Sequence, residues 1–204
     1  MFETVPRRIT AYSVLDIIEG TLDLNAGAPR ITDWLQSGYD WLVLREARVT
    51  PRGSDEAAEL PRMRVNLARV ECLIDEGEPV GDERFLAPRT KTRIDLRFPS
   101  GLIVSGLLSL PEGATWVTAM DVIDDDDRLK PLEESILVWD RQVVRSGVTA
   151  FVRLKAALYA REDVNGEFIR RLVGDVPGLG AAPAAPSAPS APPATAPGEP
   201  APAG

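Results

Sequence analysis

Four consecutive carboxylates, Asp124-Asp125-Asp126-Asp127, are the densest group of potential cation ligands in the chain. Oxygen donors suit a hard divalent cation, but such a site needs spaced ligands and a sharp glycine turn, and adjacent side chains diverge. The run therefore reads as a solvated loop. The sequence has no histidine and a single cysteine, Cys72. That excludes Ser-His-Asp and Cys-His catalysis, histidine-ligated zinc and an intrachain disulfide. Cys72 lies in Val70-Glu71-Cys72-Leu73-Ile74 and reads as a small buried apolar side chain. No P-loop or dinucleotide-binding glycine motif occurs, and no spacing singles out two carboxylates for glycoside chemistry. The expectation is a non-enzymatic protein with no cofactor and no bound metal.

Two groups of residues remain as candidates for binding. Trp34, Tyr39 and Trp41 cluster around one predicted short helix, and Trp116 precedes a second. Aromatics at a helix–loop edge anchor protein partners, and they equally serve as packing between structural units. The other group is Arg7-Arg8 with Asp23-Leu24-Asn25-Ala26-Gly27. Planar guanidinium groups suit phosphates and purine faces. This pattern is similar to that of PilZ domains, with Asn25 where the family has Ser and Ala28 where it has its last Gly. The resemblance implies a small β barrel in which Arg7, Arg8, Asp23 and Asn25 would contact a cyclic dinucleotide.

The net charge of −8 argues against nucleic acid as the main partner, because phosphate binding calls for a basic balance; an Sm-like RNA-binding barrel stands as a further alternative. A protein partner or self-association is the leading expectation. Met1 to Pro6 has no apolar core of a signal peptide, and the longest apolar run, Gly101 to Leu110, falls far short of the roughly 20 residues of a membrane helix. The expected location is the cytoplasm.

The elements that must position these residues repeat. Ile18-Glu19-Gly20-Thr21-Leu22-Asp23-Leu24 returns as Val104-Ser105-Gly106-Leu107-Leu108-Ser109-Leu110. Around each glycine phrase the pattern predicts strand, strand, short helix, strand, strand. A glycine inside a strand marks a bulge or a close backbone approach. In the second copy Arg93 to Phe98 alternates, with Ile94, Leu96 and Phe98 on one face and Arg93, Asp95 and Arg97 on the other. Pro99-Ser100-Gly101 is then a hairpin turn. Leu129 to Leu132 takes the place of Trp41 to Leu44, and Val148, Ala150, Val152 and Leu154 take that of Ala68, Val70, Cys72 and Ile74. Thr32 is the expected cap of the first helix. Met63 to Ile74 reads as one strand, and Phe151 to Tyr159 as strand or helix.

The resulting division is a first β module over 1–75, a linker over 76–91, a second β module over 92–162, a short helix over 163–176 and a tail over 177–204. The fold class is mainly β, with two tandem barrel- or sandwich-like modules. Each copy alone buries a marginal core, so the copies are expected to pack together or the chain to oligomerise. Phe168, Ile169, Leu172 and Val173 share a face of the last helix, which would cover a sheet edge or bind a partner. The tail is mostly Ala, Pro, Ser and Gly with Glu199 its one charge, a composition that does not bury a core, so it is expected to be disordered. The run Gly106-Leu107-Leu108-Ser109-Leu110-Pro111-Glu112-Gly113, with Leu129-Lys130-Pro131-Leu132 after it, resembles an uncharacterised family of small bacterial β domains. That resemblance implies a fold and no catalytic residues.

Overall fold

The computed structural model describes residues 3–77, 89–114, 128–163 and 166–174. Trp116, Asp124 to Asp127, the second predicted helix, most of the 76–91 segment and the tail fall outside them.

The described strands are β1 (Thr4–Ser13), β2 (Asp16–Asn25), β3 (Trp41–Pro51), β4 (Ala58–Asn66), β5 (Val70–Asp75), β6 (Arg89–Arg97), β7 (Ile103–Pro111), β8 (Lys130–Trp139), β9 (Gln142–Val152) and β10 (Tyr159–Glu162). Helix α1 (Ile31–Gln36) lies between β2 and β3, and helix α2 (Glu167–Val173) follows β10. All ten strands join one antiparallel sheet in the order β10-β6-β7-β8-β9-β5-β1-β2-β3-β4. One continuous open sheet thus stands where the sequence predicts two tandem barrel- or sandwich-like modules.

Neighbouring residues of a strand point to opposite faces, and β5 and β9 use both. Leu73 and Phe151 enter a core with Ile9, Leu22, Leu42 and Leu44 of the first half. Cys72, Ile74, Ala150 and Val152 enter a core with Ile94, Leu96, Phe98 and Val104 of the second. The two halves therefore bury opposite faces of the same sheet. They meet where Cys72, Leu73 and Ile74 pair with Val152, Phe151 and Ala150. A strand buried on both faces has no solvent side to alternate with, which is why Val70 to Ile74 is buried throughout and, Glu71 apart, apolar.

The glycine phrases do the same work in each half. The register between β2 and β3 shifts between Glu19 and Thr21, and that between β7 and β8 shifts between Ser105 and Leu107. Facing these shifts, Glu46 and Glu134 take left-handed backbone, with φ of 49° and 47°. A Cβ at Gly20 would lie 2.9 Å from Leu44 Cβ, and one at Gly106 2.9 Å from Leu132 Cβ. Each glycine lets a bulge in the next strand press against it. The pairing of Leu129 to Leu132 with Trp41 to Leu44 fits this geometry.

The last strands need correction. Met63 to Ile74 is not one strand: β4 ends at Asn66, a 3₁₀ turn covers Leu67–Arg69, and β5 begins at Val70. Asn66 causes the break, because its side chain accepts a hydrogen bond from Ala68 N at 2.9 Å. Likewise Phe151 to Tyr159 is the end of β9, a 3₁₀ turn at Leu154–Ala156 and the start of β10. The 3₁₀ turns match Leu67 to Leu154, so β9 corresponds to β4 and β10 to β5, and the equation of Ala150 with Val70 fails. Thr32 does not cap α1, which begins one residue earlier from an extended Arg30. The helix stops at Ser37-Gly38, with Gly38 at φ 77°. The expected Pro99-Ser100-Gly101 turn is present, where Gly101 N donates to Phe98 O at 2.9 Å.

Polar contacts reinforce the seam. Arg153 Nη2 donates to Leu67 O at 2.7 Å, and Arg153 N donates to Glu71 O at 3.0 Å. Glu71 Oε1 accepts from Ser100 N at 3.3 Å, tying β5 to the β6–β7 turn. Burial pushes the Glu71 carboxyl above its ordinary value. Among the described residues no helix is long and apolar enough to cross a membrane.

Candidate interaction surface

Helix α1 is short because Gly38 ends it, and the chain then turns directly into β3. That turn stacks Tyr39 on Trp34, with ring centroids 5.5 Å apart and planes inclined by 27°. Trp34 leans on the first-half core beside Leu35. Tyr39 stays 58% exposed. It also rims a cleft of about 310 Å³ that includes Leu35, Leu67, Leu129 and Arg153. Trp41 opens β3 and is 50% exposed. Leu42 and Leu44, with which it alternates, are fully buried, so Trp41 faces away from the core. The structure brings Trp34 and Tyr39 together and leaves Trp41 on the outer face of the sheet.

The arginine pattern is not gathered. Arg7 and Arg8 are adjacent in β1 and point to opposite faces. Arg7 forks onto Asp75, with Nε 3.1 Å from each carboxylate oxygen and Nη2 2.7 Å from Oδ2. Gly77 lies directly against that guanidinium. Arg8 is exposed. Asp23 pairs with Arg45 through two bonds of 2.6 Å, which hold its carboxyl below the ordinary range. Asn25 accepts from Gly27 N at 2.9 Å and so shapes its own loop. Arg7 does line a cleft of about 350 Å³ at the end of the seam, where Asp75 and Glu76 diverge from Gly147 to Thr149.

Cys72 is fully buried, and burial pushes its thiol far up, with Glu71 adding to the effect. It is held as the thiol and not as a nucleophilic thiolate. Among the described residues no group of three or more acidic or Cys side chains is placed to hold a metal ion.

Alternation places Arg93, Asp95 and Arg97 opposite Ile94, Leu96 and Phe98 but gives no sign that this face is covered, and there Asp95 is fully buried and Arg93 nearly so, in a buried polar cluster. The reason is α2, which packs on the sheet's face and not along its edge. Ile169 enters a small core with Ile103, Ile136 and Val138. Phe168 lies 3.7 Å beneath the Arg161 guanidinium. Asp163 anchors the helix by accepting from Glu167 N at 3.1 Å and Phe168 N at 2.9 Å. Arg161 in turn holds Asp95 Oδ2 at 2.9 Å. The signal that could have found the cluster is the apolar face of α2, which needs apolar positions on β7 and β8 to receive it.

Burial raises the Asp95 carboxyl above its ordinary value, and neighbouring Asp163 adds to that rise against the pull of Arg161. For Asp163 burial acts upward, but the N–H of Phe168, contact with Asp95 and the N–H of Glu167 outweigh it and hold that carboxyl low. The linkage signs are therefore opposite. Asp95 contributes stability below the ordinary Asp range and loses it as pH rises through its elevated value. Asp163 contributes above that range and loses it as pH falls. Asp95→Asn should keep an acceptor for Arg161 and remove only the first limb. Urea unfolding at several pH values should show the variant gaining on the wild type as pH rises from about 4 to neutrality. A gap that does not change with pH would contradict this.

No protein-family model matches the chain, and no curated protein and no solved structure is significantly similar to it.

Proposed function

We propose that the chain is a non-enzymatic protein-interaction module, a scaffold or adaptor made of two tandem β units fused along the β5–β9 seam. The observation that carries this reading is the exposure of Tyr39, stacked on Trp34 in the turn after α1, and of Trp41 at the start of β3. Both are large aromatics left in solvent, whereas 35 hydrophobic residues are buried among the described residues. Exposed aromatics fixed on a rigid framework are the side chains that most often dominate protein–protein affinity, because they bring a large contact area at little entropic cost. The repeated order of elements and the matched bulges at Gly20 and Gly106 support the tandem-unit reading.

The test is a quantitative pull-down from the source cell with the full chain and with a Tyr39→Ala/Trp41→Ala variant, whose folding is checked by circular dichroism. Specific proteins should be recovered by the wild type and reduced roughly tenfold or more by the variant. Equal recovery by a folded variant, or none by either, would count against the reading.

A further inference from the structure

Among the described residues β4 is a terminal strand and pairs only with β3. An edge strand presents unpaired backbone groups to any chain that can extend along it. The side chains of β4 then decide what kind of chain would fit. On the outer face, register places Arg8 opposite Thr21, Thr21 opposite Arg45, and Arg45 opposite Arg62. Arg64, two residues along β4, faces Val43, and Trp41 faces Asn66.

Like charges set directly across two strands are unfavourable, and Asp23 is the acid that answers Arg45. Arg62 and Arg64 have no ion pair among the described residues and are exposed. The adjacent row differs. There Glu19 faces Arg48, and Arg48 faces Glu59, so charge alternates across the strands. Charged residues and a proline such as Pro61 also keep edges from pairing with copies of themselves, but that role does not require an uncompensated cluster of one sign. The inner side of β4 is the reverse: Val65 is buried and Met63 packs against the first-half core.

We propose that Arg62 to Asn66 of β4 docks an acidic extended segment of a partner protein by strand addition. The inference rests on the interaction-module reading and names the chemistry of the partner. An added strand would place carboxylates at alternate positions beside Arg62 and Arg64. Its apolar positions would lie next to Met63 and Val65 and continue the first-half core, and Trp41 would flank the acidic face. Pro61, which has no N–H to donate, limits pairing to the residues after it. An acidic peptide suits this edge better than nucleic acid does, because the strand supplies backbone pairing and an apolar inner side.

The experiment uses the full chain and a labelled peptide of about ten residues alternating Glu and Val, with a Lys/Val peptide and a single-stranded oligouridylate as comparisons. Fluorescence anisotropy reads binding, and hydrogen exchange reads the β4 amides. The Glu/Val peptide should bind and slow exchange over Arg62 to Asn66. Arg62→Glu/Arg64→Glu should weaken it about tenfold or more with unchanged circular dichroism. No binding, equal binding by the variant, or no slowing in β4 would overturn the proposal. Binding of the oligouridylate with none of the Glu/Val peptide would overturn it in favour of a nucleic-acid face. If the pull-down partners of the wild type persist with Arg62→Glu/Arg64→Glu but are lost with Tyr39→Ala/Trp41→Ala, this inference fails and the interaction module stands.

Discussion

Gly106→Ala is expected to destabilise the chain by about 2–3 kcal/mol, the upper part of the range for overpacking a filled interior. The added Cβ would sit within 3 Å of Ser135 Oγ and 2.9 Å from Leu132 Cβ, with Glu133 O at 3.2 Å. None of these can give way cheaply. Ser135 is fully buried and donates to Leu132 O at 2.9 Å. Leu132 Cβ is fixed by its own backbone, and Glu133 O belongs to the bulge. For a chain of this length the loss corresponds to a fall in Tm of roughly 5–10 °C. Gly20→Ala meets Leu44 Cβ at 2.9 Å and Arg45 O at 3.1 Å, so it should behave alike. Gly27→Ala meets only Asn25 Oδ1 at 3.4 Å and should be nearly neutral. Thermal unfolding of the three variants checks the ranking. If Gly106→Ala and Gly27→Ala melt together, the bulge contact does not carry the strain assigned to it.

Phe151→Ala should have the largest effect of any single truncation at the seam, about 3–5 kcal/mol. Phe151 belongs by sequence to the second half, yet its ring fills the core of the first beside Leu73 and Leu129. Tyr12, Cys72 and Ile74 make the opposite exchange and fill the core of the second half. Removing the ring leaves a cavity in one half and loosens the strand that supports the other. The loss should therefore be shared and not confined to the half that carries the substitution.

This exchange is also where sequence reading loses its grip. The glycine phrases, the hairpin at Pro99 to Gly101 and the alternation of Ile94, Leu96 and Phe98 are local, and each was legible from residue types alone. Which strand lies beside which is not local. β5 and β9 look like ordinary apolar segments until they are paired, and their burial on both faces follows from that pairing. The same limit explains Asp95. Its alternation with Ile94 and Leu96 assigns it correctly to the opposite face, but nothing near it says that α2, far along the chain, covers that face. The break at Asn66 is masked in the sequence by the apolar residues around it, yet a single side-chain bond from Ala68 N outweighs a weak strand pattern. Of the candidate site, Trp34, Tyr39 and Trp41 are singled out by residue type alone. That Trp41 shares an outer face with Arg62 and Arg64 emerges only from the β3–β4 register.

The two halves form one sheet joined at β5–β9 and are expected to unfold as one unit. Amide hydrogen exchange, compared between the wild type and Phe151→Ala, tests this most directly. Protection should fall by a similar amount in β1–β3 and in β6–β8, and the amides paired between Cys72–Ile74 and Ala150–Val152 should exchange no faster than either half. Loss of protection confined to β1–β3, with β6–β8 unchanged, would mean that the halves fold separately and that the seam is only a contact between them.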